Sequence, residues 1–245
     1  MNPADLAPFL IVGFGLFAGA VVSGLMGFAS SAVAGAFLLH VLPPIEAVPL
    51  MMACSTVTQA ISLVALRDRV MWRGSSMLIA GGAVGMLPAL YLLCHVDACI
   101  FRTGFGVFLV AYATLMLLRP AAGYARDVPS RLRHAVIGFG GGLVGGLTAM
   151  PGALPVIWCN LRGMPKDQQR GLVQPYIAAM QLLALALLLW RNGVSREALL
   201  NLTLSLPALA AGATLGVALF RRIDDGRFRR VVLTVLLFAG LLLAA

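Results

Sequence analysis

Residues 6–45 read LAPFLIVGFGLFAGAVVSGLMGFASSAVAGAFLLHVLPPI, 40 residues without one Asp, Glu, Lys or Arg. A helix crosses the hydrocarbon of a bilayer in about 20 apolar residues, so this stretch is too long for one span. It breaks near Gly24-Leu-Met-Gly27, where glycine permits a sharp bend, into a segment over 6–24 and a shorter one over 28–42. Pro43-Pro44 ends the second piece. The reading is a broken-helix hairpin that enters the membrane and returns to the side it came from.

The other charge-free runs cover 47–66, 74–96 and 103–118, then 134–161, 171–190, 198–220 and 231–245. Lengths of 40, 20, 23 and 16 are followed by 28, 20, 23 and 15. The second series repeats the first with a shorter opening run. That run breaks around Met150-Pro151-Gly152, where proline removes a backbone donor. Residues match as well. Gly15-x-x-x-Gly19 has a counterpart in Gly138-x-x-x-Gly142, Gln59 in Gln181, and Gly81-x-x-x-Gly85 in Gly212-x-x-x-Gly216. Val96-Asp97 with Phe101-Arg102 is matched by Ile223-Asp224 with Phe228-Arg229. The chain divides into a first membrane unit at 6–118, a linker at 119–133 and a second unit at 134–245.

Composition agrees. Hydrophobic residues make up 60% and charged residues 11%, against roughly 25% charged in soluble domains. The net charge of +9 is spread between apolar runs, which argues against a nucleic-acid surface, since that needs a basic patch on one folded face. The first run begins at Leu6 behind Asp5 with no Lys or Arg before it; without a basic leader it reads as a retained segment. Cys54, Cys94, Cys99 and Cys159 show no CxxC or metal spacing and read as small apolar fillers.

Positive residues prefer the cytoplasmic side. If each opening run is a hairpin, segments 67–73, 119–133, 162–170 and 221–230 share one side and hold 15 of the 18 Lys and Arg. Arg102, Arg191 and Arg196 are on the other. Corresponding loops then face opposite ways, with both chain ends outside. The expected fold is all-α: a polytopic integral membrane protein of two inverted repeats, each a broken-helix hairpin plus three transmembrane helices. Inverted repeats with broken helices at the midplane are a transporter architecture. The rival, eight simple spans in parallel units, mixes the charges.

No charged residue lies well inside a proposed span; Glu46, Asp97 and Asp167 fall in loops. His40, at the end of the first hairpin, is the one titratable residue offering a coupling role, and an interfacial histidine explains it as well. The remaining polar residues cluster in equivalent places. Ser23, Ser30, Ser31, Ser55, Thr56, Thr58, Gln59 and Ser62 lie in the first unit, and Thr148, Asn160, Gln174, Tyr176 and Gln181 in the second. Hydroxyls and amides, with helix N-termini opened by the breaks, donate hydrogen bonds to an oxyanion. The substrate-binding candidates are Ser30, Ser31, Ser55, Thr56, Gln59, Pro151, Gly152, Tyr176 and Gln181, with Gly24, Gly27 and Met150 as the breaks. Helix packing is the competing role of the Ser, Thr and GxxxG positions. No carboxylate or histidine cluster suits a metal. A hydrolase built on Ser30 or Ser31 with His40 has no third orienting group. Neither a cofactor nor catalysis is expected.

Gly15-Leu-Phe-Ala-Gly19 leading to Gly24-Leu-Met-Gly27-Phe-Ala-Ser-Ser, and Gly138-Phe-Gly-Gly-Gly142 leading to Gly145-Gly-Leu-Thr-Ala-Met-Pro-Gly152, resemble the TauE/SafE family of membrane transporters, also called toluenesulfonate uptake permeases. The turn Leu42-Pro-Pro-Ile-Glu-Ala47 is similar to the family's link into its next helix. The resemblance covers nearly the whole chain and implies secondary transport of small sulfur anions such as sulfite, sulfonates or sulfoacetate, by import or by export. The chain departs from the family's glycine-rich run at Phe28-Ala29-Ser30-Ser31 and at Pro151-Gly152-Ala153-Leu154. An anion channel or facilitator, or a carrier of another small organic anion, stays open beside the sulfur-anion carrier. The expected setting is a bacterial-type inner membrane crossed many times. The partners are a small anion of the sulfite or sulfonate class and the lipid bilayer, with a homodimer left open.

Overall fold

A computed structural model describes residues 3–27, 29–65, 70–118, 131–162, 164–192 and 196–220, with residues 222, 230, 233–234, 237–238 and 240–241 beyond them. The described residues form nine helices and no strand: α1 Pro3–Met26, α2 Ser30–Leu38, α3 Pro44–Ala65, α4 Trp72–Leu93, α5 Ala98–Leu118, α6 Arg131–Thr148, α7 Ala153–Leu161, α8 Lys166–Asn192 and α9 Arg196–Phe220. Five of these (α3, α4, α5, α8 and α9) carry stretches long and apolar enough to cross a membrane. Of the last expected span, 231–245, six scattered residues are described, and most of the linker at 119–133 lies outside the described residues.

Both opening runs break. α1 ends at Met26 and Gly27 takes φ +85°; α2 then runs back along α1, with Gly15 against Phe37 and Gly19 against Ser30 and Ala34. The second bend is one residue upstream of the expected Met150-Pro151-Gly152. Ala149 takes φ 56°, the one non-glycine residue of positive φ among the described residues. α7 returns along α6, with Gly141 and Gly145 against Pro151. Pro44 opens α3 rather than closing the hairpin, and Glu46 sits exposed in its first turn. Asp97 is outside the helices as expected, its Oδ1 accepting the Cys99 and Ile100 N–H groups at the start of α5.

Glycine sets the helix pairs. On α6, Gly138, Gly142 and Gly146 lie against Leu78, Gly82 and Ala89 of α4, so the two helices run side by side in one sense. A side chain at Gly81 or Gly85 would collide with the Ala135 or Phe139 carbonyl; small residues let backbones touch where lipid supplies no hydrophobic drive to associate. α9 lies along α1 in the same manner, Gly212 against Phe17 and Gly216 against Val21 and Gly24. α8 runs with α4, Gly74 meeting Leu172 and Gly82 meeting Tyr176 and Met180. Arg170, near the start of α8, reaches Gly24 near the end of α1 and stacks on Phe220 at the end of α9. The set α1, α3 and α9 therefore runs opposite to α4, α6 and α8.

These contacts correct the register of the matched glycines. Gly85 meets Phe139 and Leu143, and Gly212 meets Phe17 and Val21. α6 is thus offset by 122 from α1, and α9 by 127 from α4. Matching Gly81 to Gly212, an offset of 131, slips by one helical turn, because glycines recur every four residues on both helices. Matching Gly15 to Gly138 slips by one residue, which rotates a helix by about 100°. The structural counterpart of Gly19 is Gly141: both face the returning arm of their own hairpin.

The outer surface suits lipid. Phe14, Val84, Leu87, Tyr91, Val107 and Val136 are exposed, and Trp72 and Trp190 stand at helix ends, where aromatic rings anchor at membrane interfaces. The protein is a multi-pass membrane protein.

Candidate functional site

The two breaks converge on α3 and α8, which cross at their middles where Gln181 donates from Nε2 to Ser55 Oγ. Ser55 Oγ also shares a 2.8 Å bond with Ser30 Oγ at the start of α2. Gln59, one turn along α3, donates from Nε2 to the Gly27 carbonyl at 2.8 Å. Ser31 donates to the Ala149 carbonyl at 2.7 Å, joining the first hairpin to the second break. Each left-handed residue thus has its carbonyl held by one side chain. Ser30, Ser31, Ser55, Gln59 and Gln181 are all buried. Oε1 of both glutamines lacks a protein partner among the described residues.

A small void of about 10 Å³, about the size of one water, adjoins this cluster, lined by Gly19, Ser30, Cys54, Ser55, Thr58 and Leu209 among others. Its position follows from the 122-residue offset. Tyr176 is the counterpart of Cys54; it fills the corresponding space beside Gly141 and donates to the Gly138 carbonyl at 2.8 Å. A thiol in place of a phenol leaves that space unfilled beside Gly19.

Of the expected candidates, Ser30, Ser55 and Gln181 meet directly, Ser31 and Gln59 each hold a break carbonyl, and buried Met150, Pro151 and Gly152 form the turn after Ala149. Thr56 turns its hydroxyl back to Met52 O on its own helix at 2.8 Å. Tyr176 engages α6. His40 is exposed at the end of α2, its Nδ1 2.9 Å from Ala36 O.

Arg170 was expected in a cytoplasmic loop. It lies instead within α8, 8% exposed, donating from Nη2 to Gly24 O at 2.7 Å, with Nε 3.1 Å from the point a Gly27 Cβ would occupy. The expected run 171–190 itself stays free of charge, but the helix extends back past it to Lys166 and takes Arg170 in. Helical spacing carried the signal: positions 170, 174, 177 and 181 share one face of α8. Ala149 was also missed, although adding 122 to Gly27 points to it.

Comparison with curated proteins and with solved structures finds no match to either. The family described as sulfite exporter TauE/SafE matches residues 11–243, a span that takes in both breaks, all of α3 and α8, and the polar cluster between them. The chain belongs to the TauE/SafE sulfite exporter family.

Proposed function

We propose that the protein is a secondary carrier of small sulfur oxyanions such as sulfite or a short sulfonate, which bind where the two breaks meet α3 and α8. Family membership implies membrane transport of sulfur anions such as sulfite. The observation that carries the site is the chain Ser30–Ser55–Gln181 with Ser31 on Ala149 O and Gln59 on Gly27 O. It gathers hydroxyl and amide donors from both halves of the sequence at the crossing of α3 and α8. An anion entering as the small adjoining void widens takes over the donors these side chains now spend on one another. The start of α2 adds N–H groups and a partial positive charge beside Ser30, since its N-cap Ala29 supplies no side-chain acceptor. Pro151, Gly152 and Tyr176 shape the second break, Thr56 keeps a peripheral role in helix packing, and His40 stays exposed at the end of α2.

The two halves lie inverted in a bacterial-type inner membrane, with 67–73, 119–133, 162–170 and 221–230 cytoplasmic. Support comes from the 15-to-3 charge bias and from the opposed sense of α1, α3 and α9 against α4, α6 and α8. Such an arrangement permits rocking about a fixed site.

Purified protein in liposomes loaded with unlabelled sulfite is expected to accumulate labelled sulfite transiently, with saturation. Counterflow of this kind separates a carrier from a channel. Flux that is absent, or linear in concentration without counterflow, would falsify the reading. Cysteines placed at 43–46 and at 162–170 should react with impermeant reagents from opposite compartments.

A further inference from the structure

The offset of 122 pairs each position of α3 with one of α8, so the two sides of the central cluster can be compared residue by residue. Beyond the Ser55–Gln181 crossing, toward the end of α3 and the start of α8, stand Gln59, Ser62, Gln174 and Arg170, all buried. Their counterparts on the other side of the crossing are Gln181, Ala184, Met52 and Val48, equally buried. Apart from the two glutamines, one side is polar and the other apolar.

Helix rise places Ser62 and Gln174 at one level. α3 and α8 are antiparallel, and Ser62 is seven residues past Ser55 while Gln174 is seven before Gln181. Two turns in each direction bring both to the same height. The end of α1 closes the third side, held by Gln59 on Gly27 O and Arg170 on Gly24 O. Ser62 Oγ, Gln174 Nε2 and Gln59 Oε1 have no protein partner among the described residues. Buried polar atoms without partners cost free energy, and Ala184 and Met52 show that apolar side chains fit the equivalent places. The polar set is thus retained against its packing cost.

Resting on the carrier reading, we propose a second station for the same oxyanion in the cytoplasmic half of the path. Ser62 Oγ and Gln174 Nε2 supply its donors, and the Arg170 guanidinium supplies positive charge at its outer end. Val48, Met52 and Ala184 form the dry seal on the other side of the central site. The path is therefore wet and anion-attracting on one side and closed by apolar packing on the other.

The test uses the full chain with its four cysteines replaced and single cysteines at Ser62→Cys, Gln174→Cys, Met52→Cys and Ala184→Cys. The reagent is a cationic, membrane-impermeant methanethiosulfonate, applied to right-side-out and inside-out vesicles. Ser62→Cys, nearly isosteric, guards against a misfolded Gln174→Cys. The first two positions should react from the cytoplasmic face, and methanesulfonate at ten times its dissociation constant should slow them about tenfold, with gluconate inert. Met52→Cys and Ala184→Cys should stay unreactive from either face. A silent Ser62→Cys, equal reaction at the apolar positions, or no protection by methanesulfonate would each overturn the station. Labelling needs no net flux, so lost sulfite counterflow with this pattern intact removes only the carrier reading. Intact counterflow without the pattern removes only the station.

Discussion

The two breaks solve one problem with different residues. At the first, the left-handed position is Gly27, whose φ of +85° carries no steric cost, and Gln59 of the same half holds its carbonyl. At the second it is Ala149, whose Cβ makes the left-handed conformation cost about 1–2 kcal/mol, and its carbonyl is held from the other half by Ser31. The first break is also bound by Arg170 and adjoins a small void beside Cys54; at the second, Tyr176 occupies that space. The difference teaches that two like bends can be held by unlike residues. The first break keeps a small void beside Cys54, while the second is filled by Tyr176 and gripped through Ser31.

The largest effect should come from making the halves alike where the void lies. Cys54→Tyr fills the space beside Gly19 and Ser30, and sulfite counterflow is expected to fall more than about tenfold, the loss of roughly 1.4 kcal/mol of binding or more. Unchanged flux would show that the void is not on the path. Next is Gly27→Val. A β-branched residue at positive φ, pressed against Arg170, should cost about 3 kcal/mol or more, read as a loss of the folded fraction in thermal unfolding. A stable variant would mean that the first break is free to change shape.

Gln59→Leu and Ser31→Ala each strip the donor from one break carbonyl, and each should cost about 1–3 kcal/mol. Their effects on stability should be similar, but Ser31→Ala should also loosen the two halves. Susceptibility to proteolysis in the linker at 119–133 checks this, and equal cleavage in both variants would erase the distinction. The smallest effect belongs to Ala149→Gly. Relief of left-handed strain is offset by the greater freedom of glycine in the unfolded chain, leaving a gain within about 1 kcal/mol. A large loss of stability would show that the methyl group packs against something essential.

Much of this was legible in the chain. The charge-free runs, the two bends and the pairing of Gln59 with Gln181 follow from hydropathy, proline and glycine placement and spacing, which are local or cumulative properties. Arg170 was not legible as buried, because its neighbours Lys166 and Asp167 mark a polar segment, and the tip of α1 and Phe220, which it meets in the fold, are distant in sequence. Ala149 was hidden because alanine carries no signal for positive φ; the surroundings impose it.

By itself the sequence determined the solvent and the class of secondary structure, since apolar length and charge position add up along the chain whatever the packing. Only the tertiary structure decided the register of the two halves, the partner of each buried polar atom and the small void beside Cys54. The physical reason is rotational. One residue of slip turns a helix face by about 100°, and hydrogen bonds over 2.5–3 Å reward a single setting. That setting is chosen jointly by helices distant in sequence, as at Ser31 and Ala149.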